Sequence, residues 1–179
     1  SKINQSAQRM ENIIEGILTY STLDKTAQPF EKIDLNEILE NVKTDLELVI
    51  QEKGAVLIAS ELPEIEGASI LINQLFYNLI QNAQDASDSQ SHVSVVTRWS
   101  PARKRVKFTV LDEGPGFSPN ILQRAFEPYV TTKTKGTGLG LAVVKKIMEE
   151  HGGRVDISNR LIDGKVLGAQ VSLSFAVAN

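Results

Sequence analysis

The sequence NLIQNAQDA at residues 78–86 decides how this chain folds. It ends a longer segment, Ser69–Ala86, in which apolar residues recur at helical spacing. On a helix, Asn78, Asn82 and Asp85 fall at i, i+4 and i+7, so the three side chains share one face. The residues between them that face the core are apolar: Leu75, Leu79, Ile80 and Ala83. The segment therefore predicts a helix with one face in a core and a second face that carries amides and a carboxylate.

That polar face allows two interpretations. Amide and carboxylate oxygens aligned beside an apolar face can coordinate a hard cation and hold phosphates through it. The same pattern also occurs on the solvated face of an ordinary surface helix. Residues 78–86 alone do not separate a metal site from a solvated surface.

The rest of the domain is predicted to supply a mixed sheet and further helices. Residues 32–33 predict a short strand, and Asp34 with Glu37 resembles a capping box that opens a helix closed by Gly54. Further along, the pattern predicts a strand at residues 55–59 and a polar loop around Pro63 and Gly67. A hairpin of residues 92–99 and 106–111, with its turn at Ser100 and Pro101, comes after the helix at Ser69–Ala86, and an irregular stretch at 112–140 follows the hairpin. The last predicted elements are a helix at 141–150 and a hairpin of residues 154–158 and 166–176 with its turn at Asp163 and Gly164. Helices packed on one face of a mixed sheet make an α+β sandwich, which is the predicted fold class.

Residues 1–24 predict one amphipathic helix ahead of the domain. Ile3, Met10 and Ile17 recur every seven residues, and this apolar stripe needs a partner helix from the same chain or from a second copy. Residues 25–31 predict a linker, because Pro29 disfavours continuation of the helix. The domain proper is therefore expected at residues 32–179.

Composition narrows the class of protein. The chain has 179 residues, 41% of them hydrophobic, and a net charge of -3, so it can fill a core but lacks the basic surplus typical of a nucleic-acid surface. It has no cysteine, which excludes a disulfide scaffold and a thiolate metal site and suits a reducing compartment. No apolar run approaches the roughly 20 residues of a membrane-spanning helix, and the polar N-terminus is unlike a signal peptide. We therefore expect a soluble, cytoplasmic stretch of chain without membrane contact.

Two glycine-containing clusters follow the polar helix. The sequence DEGPG at residues 112–116 comes directly after a predicted strand, and its glycines permit tight turns that make a socket for a flat ring beside Asp112. An ordinary turn has the same composition. The sequence GTGLGL at residues 136–141 opens a predicted helix, where glycines let an anion approach the first N–H groups. It lacks the third glycine and the βαβ context of a dinucleotide fingerprint, and it also lacks the P-loop pattern.

Taken in order, the three clusters resemble the N, G1 and G2 boxes of histidine kinases, and FEPY at residues 126–129 resembles the F box. The resemblance covers residues 30–175. It places the chain in a superfamily with type II topoisomerases, mismatch-repair ATPases and the ninety-kilodalton heat-shock chaperones. The segment FEPYVTTK at residues 126–133, close before the G2 box, is similar to the short-lidded nitrogen-sensor branch. The resemblance implies a two-layer Bergerat-type fold, with helices covering one face of the sheet, and ATP and Mg²⁺ as ligands.

The resemblance also implies roles by position. Asn82 would be the Mg²⁺ ligand, Asn78 and Asp85 would support the metal or its waters, and Asp112 would accept the adenine amine. Lys133 would meet the β- or γ-phosphate and, with Asn78 and Asn82, would carry catalysis. The remaining expected ligand contacts are Gly114 and Gly116 at the base, Gly136, Thr137, Gly138, Leu139 and Gly140 at the phosphates, and, as a further candidate, Arg124.

Two features depart from the family pattern. Glu113 lies where the family often has asparagine, although the D-x-G-x-G motif is intact. The family's phosphoacceptor histidine lies on the first helix of a two-helix hairpin, whereas residues 1–24 resemble the second helix. His92, at a strand start, and His151, at a helix end, fit structural roles. The resemblance therefore implies a kinase fragment that phosphorylates a histidine absent from this chain, dimerises through its N-terminal helix and serves a response-regulator receiver domain.

Two other functions stay open from the sequence. A conformational ATPase of the same superfamily would carry a glutamate base four residues before the metal-binding asparagine, and that position here is Asn78, a poor base. The second is a binding module only, a degenerate kinase fold that senses nucleotide or a partner, and the intact G1 and G2 boxes count against it.

Overall fold

The computed structural model describes residue 14 and residues 29–87, 90–133 and 136–176 of the chain. Ile14 is helical and 55% exposed. The rest of the predicted N-terminal helix and residues 25–28 of the predicted linker lie outside the described residues. The first strand begins at Glu31, the last residue of the predicted linker.

Strands and helices are interspersed along the described chain. In order they are β1 (Glu31–Asp34), α1 (Leu35–Asp45), α2 (Glu47–Lys53), β2 (Val56–Ala59), β3 (Glu64–Gly67), α3 (Ser69–Ala86), β4 (His92–Ser100), β5 (Arg105–Leu111), α4 (Pro119–Arg124), α5 (Gly140–Glu150), β6 (Arg154–Ile162) and β7 (Lys165–Ala176). A short 3-10 helix, Pro101–Arg103, connects β4 to β5. None of the helices in the described ranges is both long enough and apolar enough to cross a bilayer.

Two sheets organise the described strands. The larger one is mixed and has the order β2-β4-β5-β7-β6, in which β2 runs parallel to β4 and the other neighbours are antiparallel. The smaller sheet joins β1 to β3 in antiparallel register. Val93, Val95 and Phe108 lie on the buried side of the larger sheet, whereas their neighbours Val96 and Lys107 are exposed. The predicted α+β sandwich, with helices on one face of a mixed sheet, is therefore confirmed.

The core lies between this sheet and the helices α1, α3 and α5. Phe108 of β5 contacts Phe76 of α3 and Phe175 of β7 edge-on, with ring centroids 6.0 and 5.6 Å apart. This aromatic group fixes α3 against the middle of the sheet. As predicted, the core-facing side of α3 is buried and includes Leu75, Leu79, Ile80 and Ala83. Gln84 is also buried there, and its side-chain amide has no hydrogen-bond partner in the described part of the chain.

The single helix predicted up to Gly54 is wrong, because the structure has two. Asp34 caps the first as expected, since its side chain accepts a hydrogen bond from Asn36 N at 2.8 Å. Helical geometry stops at Leu46, with φ -99° and ψ 8°. Leu46 itself is buried, whereas α2 buries none of its own residues, so the buried side of this helical segment ends at Leu46. Gly54 then ends α2 with φ 59°.

Two stretches predicted as irregular contain regular structure. The predicted loop around Pro63 and Gly67 holds β3, which alternates exposed and buried residues and pairs with β1. The predicted irregular stretch at residues 112–140 holds α4, which begins with Pro119 after Ser118. Ser118 Oγ accepts a hydrogen bond from Ile121 N at 3.4 Å, so this helix starts with a serine cap and a proline.

Both predicted hairpins exist, with longer strands than expected. A 3-10 turn replaces the tight turn predicted at Ser100 and Pro101. In the second hairpin, β6 continues to Ile162 because pairing with β7 resumes after an irregularity between Arg160 and Leu161. Its turn lies at Asp163 and Gly164 as predicted, with φ values of 49° and 77°.

Removing the central aromatic ring should destabilise the whole domain. We expect Phe108→Ala to lower the free energy of unfolding by about 3–5 kcal/mol, because it leaves a cavity between Phe76 and Phe175. Trp99→Ala, in the adjacent strand, is the matched control, since Trp99 is 51% exposed and its loss should cost about 1 kcal/mol or less. Urea denaturation followed by circular dichroism measures both values. Equal losses would contradict the role given to this aromatic group.

Candidate functional site

The polar face of α3 forms one wall of the candidate site. Asn78 Nδ2 donates a hydrogen bond to Gln74 O at 2.9 Å, which fixes the amide of Asn78. A Cβ at Gly140 would lie 3.4 Å from Asn78 Oδ1 and 3.0 Å from Asn82 Nδ2. The first residue of α5 therefore lies directly against Asn78 and Asn82, and the structure brings the two predicted clusters together.

Lys133 reaches the same wall from the segment after FEPY. Its Nζ donates hydrogen bonds to Asn82 Oδ1 at 2.8 Å and to Asp85 Oδ2 at 3.0 Å, and the second contact is an ion pair. The side chains of Lys133 and Asp85 are 35% and 40% exposed, so this pair lies at the surface of the site and not in the core. Two of the three side chains on the predicted polar face thus already bind one cationic group.

The loop before α5 crosses the FEPY segment closely. Tyr129 N donates a hydrogen bond to Gly138 O at 2.9 Å, and both residues are left-handed, with φ values of 68° and 70°. A Cβ at Gly138 would lie 2.5 Å from the carbonyl carbon of Tyr129, so glycine is required there. Gly136 N donates to Lys133 O at 3.1 Å, which connects the loop to the lysine.

The start of α5 is suited to binding an anion. Leu139 is the N-cap of α5 and provides no side-chain cap, while Thr137 Oγ1 accepts a hydrogen bond from Leu139 N at 3.4 Å. The next N–H groups of the helix belong to its first turn and have no carbonyl partner within the helix. They carry the partial positive charge of the helix N-terminus, and the first residue of the helix, Gly140, lies beside Asn78 and Asn82.

Asp112 lies at the other end of the site, directly after β5, and is 7% exposed. Its Oδ1 accepts hydrogen bonds from Gly114 N at 2.9 Å and Ala169 N at 2.8 Å. Oδ2 takes part in neither bond. The carboxylate is therefore held by one oxygen and can accept a further donor, such as an amine, with the other.

Glycines let the loop after Asp112 pass close to its neighbours. A Cβ at Gly114 would overlap the carbonyl oxygen of Ala86, at the end of α3. Gly116 has φ 76°, and a Cβ there would lie 2.7 Å from Asn159 Oδ1. The predicted base-binding residues therefore lie beside the last turn of α3, and the site extends from there along α3 to the start of α5.

Known proteins share this arrangement. The family described as histidine kinase-, DNA gyrase B- and HSP90-like ATPases matches residues 67–178. The chain belongs to this family. The match includes α3, the Asp112 loop, α5 and the second hairpin, so the chain carries the ATP-binding domain of the family.

Three similar proteins illustrate the relationship. A protein of Rickettsia bellii (strain RML369-C), named as an NtrY-like sensor histidine kinase, is 40% identical over 102 residues, which cover 57% of this chain and 17% of that protein. Sensor histidine kinase ZraS of Escherichia coli O157:H7 is 33% identical over 175 residues, 94% of this chain and 36% of ZraS. Histidine kinase ThkA, in its crystal structure with response regulator protein TrrA, is 25% identical with a TM-score of 0.78, over 98% of this chain and 49% of ThkA. The chain thus spans well under half the length of the two curated relatives.

Sequence reasoning missed the residues that hold Asp112 from the second hairpin of this ATPase domain. Arg160 Nη1 donates a hydrogen bond to Asp112 O at 2.7 Å, and Ala169 N donates to the carboxylate. Gly168 has φ 141°, and a Cβ there would overlap Asp112 O. An isolated glycine within a strand indicates a close backbone approach, so Gly168 carried a usable signal. Asn159 also fixes the loop, because its amide accepts from Phe117 N at 2.6 Å and donates to Phe117 O at 2.9 Å.

Arg124 and Glu113 have partners of their own. Arg124 Nε donates to Glu127 Oε2 at 2.9 Å on an exposed surface. Glu113 Oε2 accepts from His92 N at 2.8 Å, and this backbone hydrogen bond lowers the pKa of the Glu113 carboxyl. Glu113 therefore interacts with the start of β4, which explains why the variable position of the motif tolerates a glutamate.

His151 has a structural role, as expected. Its Nε2 accepts a hydrogen bond from Ala68 N at 3.0 Å, so Nδ1 is the protonated nitrogen and donates to Ile147 O at 2.8 Å. Phe30 stacks on the ring with centroids 4.8 Å apart. His151 therefore joins the end of α5 to the start of α3.

The contact of Gly168 with Asp112 can be tested without a ligand-contacting substitution. We expect Gly168→Ala to lower the free energy of unfolding by roughly 1–3 kcal/mol and to weaken ATP binding, because a Cβ displaces Asp112. Gly164→Ala is the matched control, since Gly164 is also left-handed but has nothing within 4 Å of its Cβ position. Thermal unfolding and calorimetric ATP titration would check both variants, and equal ATP affinities would contradict the role of Gly168.

Proposed function

We propose that the chain is the ATP-binding catalytic domain of a two-component sensor histidine kinase, which binds Mg·ATP and donates the γ-phosphoryl group to a histidine absent from this chain. The single observation that carries the proposal is the packing of Gly140, at the start of α5, against Asn78 and Asn82. It puts an anion-binding helix start beside oxygen donors for a cation. Both curated relatives are named as sensor histidine kinases, which supports the same conclusion.

The side chains present fit Mg²⁺. Asn82 Oδ1 and Asp85 Oδ2 are hard oxygen donors that share one cationic group, the Lys133 ammonium. In the described ranges no group of three or more histidine, cysteine, aspartate or glutamate side chains is placed to hold a metal. This suits Mg²⁺, which is commonly held by few protein ligands together with phosphates and water. Asn82 would be the protein ligand, Asn78 and Asp85 would orient its waters, and the metal would neutralise phosphate charge.

ATP would lie along α3. Asp112 Oδ2 would accept the exocyclic amine of adenine, with Gly114 and Gly116 leaving room for the ring. At the other end the phosphates would meet the main chain that leads into α5, and Lys133 would contact the β- or γ-phosphate. The main-chain contacts would come from Gly136, Thr137, Gly138, Leu139 and Gly140.

The reaction expected at this site is transfer of the γ-phosphoryl group of ATP to a nucleophile on a protein. Phosphoryl transfer depends on positioning and charge stabilisation more than on covalent chemistry by the enzyme. Asn78 is a neutral amide whose Nδ2 is hydrogen-bonded to Gln74 O, so it is unable to deprotonate a water molecule. That disfavours the alternative of a conformational ATPase.

The domain would act with other parts of a longer protein and with a partner. Residues 1–24 would be the second helix of the phosphoacceptor hairpin and would form a homodimer, residues 25–31 would be the linker, and residues 32–179 the catalytic domain. A response-regulator receiver domain would receive the phosphoryl group, and the relative ThkA has been crystallised with such a protein. We place the domain in the cytoplasm.

Base specificity tests the assignment of Asp112. Wild-type protein should prefer ATP to GTP, because guanine has a carbonyl where adenine has its amine. Asp112→Asn should keep the acceptor for Gly114 N and Ala169 N but replace Oδ2 by an N–H donor. We expect ATP affinity to fall by about 1–3 kcal/mol, measured calorimetrically. Equal affinity of the wild-type protein for ATP and GTP would show that Asp112 does not read the base.

The transfer reaction tests the kinase assignment. The chain alone should bind Mg·ATP, hydrolyse it slowly and form no acid-labile phosphohistidine from labelled ATP. A separate hairpin that carries the acceptor histidine should become labelled when it is added. Asn82→Ala should abolish this labelling, whereas Gln81→Ala, one residue away on α3, should retain it. Rapid ATP turnover, or label on His92 or His151, would favour an ATPase or a different acceptor.

A further inference from the structure

Lys133 binds the two oxygens that a metal ion would need. Its ammonium is 2.8 Å from Asn82 Oδ1 and 3.0 Å from Asp85 Oδ2. We infer that Lys133 excludes divalent metal from Asn82 and Asp85 until nucleotide phosphates draw the ammonium away, so that metal binding depends on nucleotide. The inference rests on the proposed Mg·ATP site and adds an order to its assembly.

The ammonium and a metal ion are mutually exclusive at this position. A Mg²⁺ ion lies about 2.1 Å from its oxygen ligands. Bound to Asn82 Oδ1, it would lie at most about 5 Å from Lys133 Nζ, even if the three atoms were collinear. Two cations that close repel each other, and they also compete for the same lone pairs. Metal binding at Asn82 therefore requires Lys133 to leave.

The lysine is able to leave, because neither partner is locked in place by burial. Lys133 and Asp85 are both more than a third exposed. An ammonium on a flexible four-carbon stem can exchange one oxygen partner for another. By contrast, Asn78 is fixed by its bond to Gln74 O. Within this wall, Lys133 is the part that can change partners.

Nucleotide phosphates would favour the metal over Lys133 at Asn82 and Asp85 in two ways. They offer Lys133 anionic oxygens in place of Asn82 and Asp85, and they provide further ligands for the metal. Both effects make metal binding stronger when nucleotide is present. Because coupling between two ligands is reciprocal, the metal strengthens nucleotide binding by the same factor.

Titration with Mn²⁺ tests this competition without any assay of catalysis. Mn²⁺ binding is measured by electron paramagnetic resonance, with and without a non-hydrolysable ATP analogue. We expect wild-type protein to bind Mn²⁺ tightly only with the analogue. Lys133→Met should bind Mn²⁺ without the analogue about tenfold more tightly than wild type does, and the coupling factor should fall correspondingly.

Three further variants make the result specific. Lys145→Met removes the same charge from α5, away from the oxygen pair, and should behave like wild type. Lys133→Arg keeps a permanent positive charge beside both oxygens and should keep Mn²⁺ binding without the analogue weak. In Lys133→Met, the additional change Asn82→Ala should abolish the new Mn²⁺ binding, which would locate it at this site.

The outcomes separate the inference from the proposed function. If wild-type protein binds the analogue and Lys133→Met shows the same nucleotide-independent Mn²⁺ affinity as wild type, the exclusion by Lys133 is wrong and the proposed function stands. If Lys145→Met gains Mn²⁺ affinity as strongly as Lys133→Met, the effect is a general charge effect and the inference is also wrong. If wild-type protein binds no analogue, both fail.

Discussion

Close approach of the main chain to neighbouring parts of the domain shapes the whole site, and three glycines permit it. A Cβ at Gly114 or Gly168 would overlap a backbone carbonyl oxygen, and one at Gly140 would press on the amide of Asn82. Two of these contacts are with α3, so any displacement of α3 would move the Asp112 loop and the start of α5 together. The position of α3 is itself set by Phe76, which packs edge-on against Phe108 of the sheet. The packing of the core therefore also determines the geometry of the site.

The two carboxylates of the site differ in how easily they can exchange their partners. Asp112 is buried, and two main-chain N–H groups hold its carboxylate in place. Asp85, in the last turn of α3, instead forms an exposed ion pair with Lys133. A rigid acceptor suits the recognition of a base, whereas an exposed ion pair costs little free energy to exchange. Rigidity and exchangeability thus belong to different carboxylates of the site, Asp112 and Asp85.

Local patterns in the sequence predicted the parts of this domain that local forces determine. Ser69–Ala86 was predicted with the bounds that α3 has, because its apolar spacing is regular along its whole length. Its polar face and the start of α5 were also predicted. The strand β3 was missed because its partner residues in β1 lie 30 to 36 positions earlier in the chain, and only that pairing makes it a strand. The hold of Ala169 on Asp112 was missed for the same reason, since 57 residues separate them. The serine cap and proline of α4 were available locally and were overlooked.

The amide at residue 78 connects this geometry to the choice of acceptor. A water molecule must lose a proton as it attacks a phosphoryl group, so an ATPase needs a base at the site. Asn78 has no basic oxygen to offer, and its Nδ2 is already bonded to Gln74 O. A neutral imidazole, in contrast, attacks with a lone pair that it already has at neutral pH. An amide in this position therefore does not help water to attack the phosphoryl group, and it does not hinder attack by a histidine. This asymmetry is the physical reason why the same fold, with an asparagine in place of a glutamate, suits a kinase.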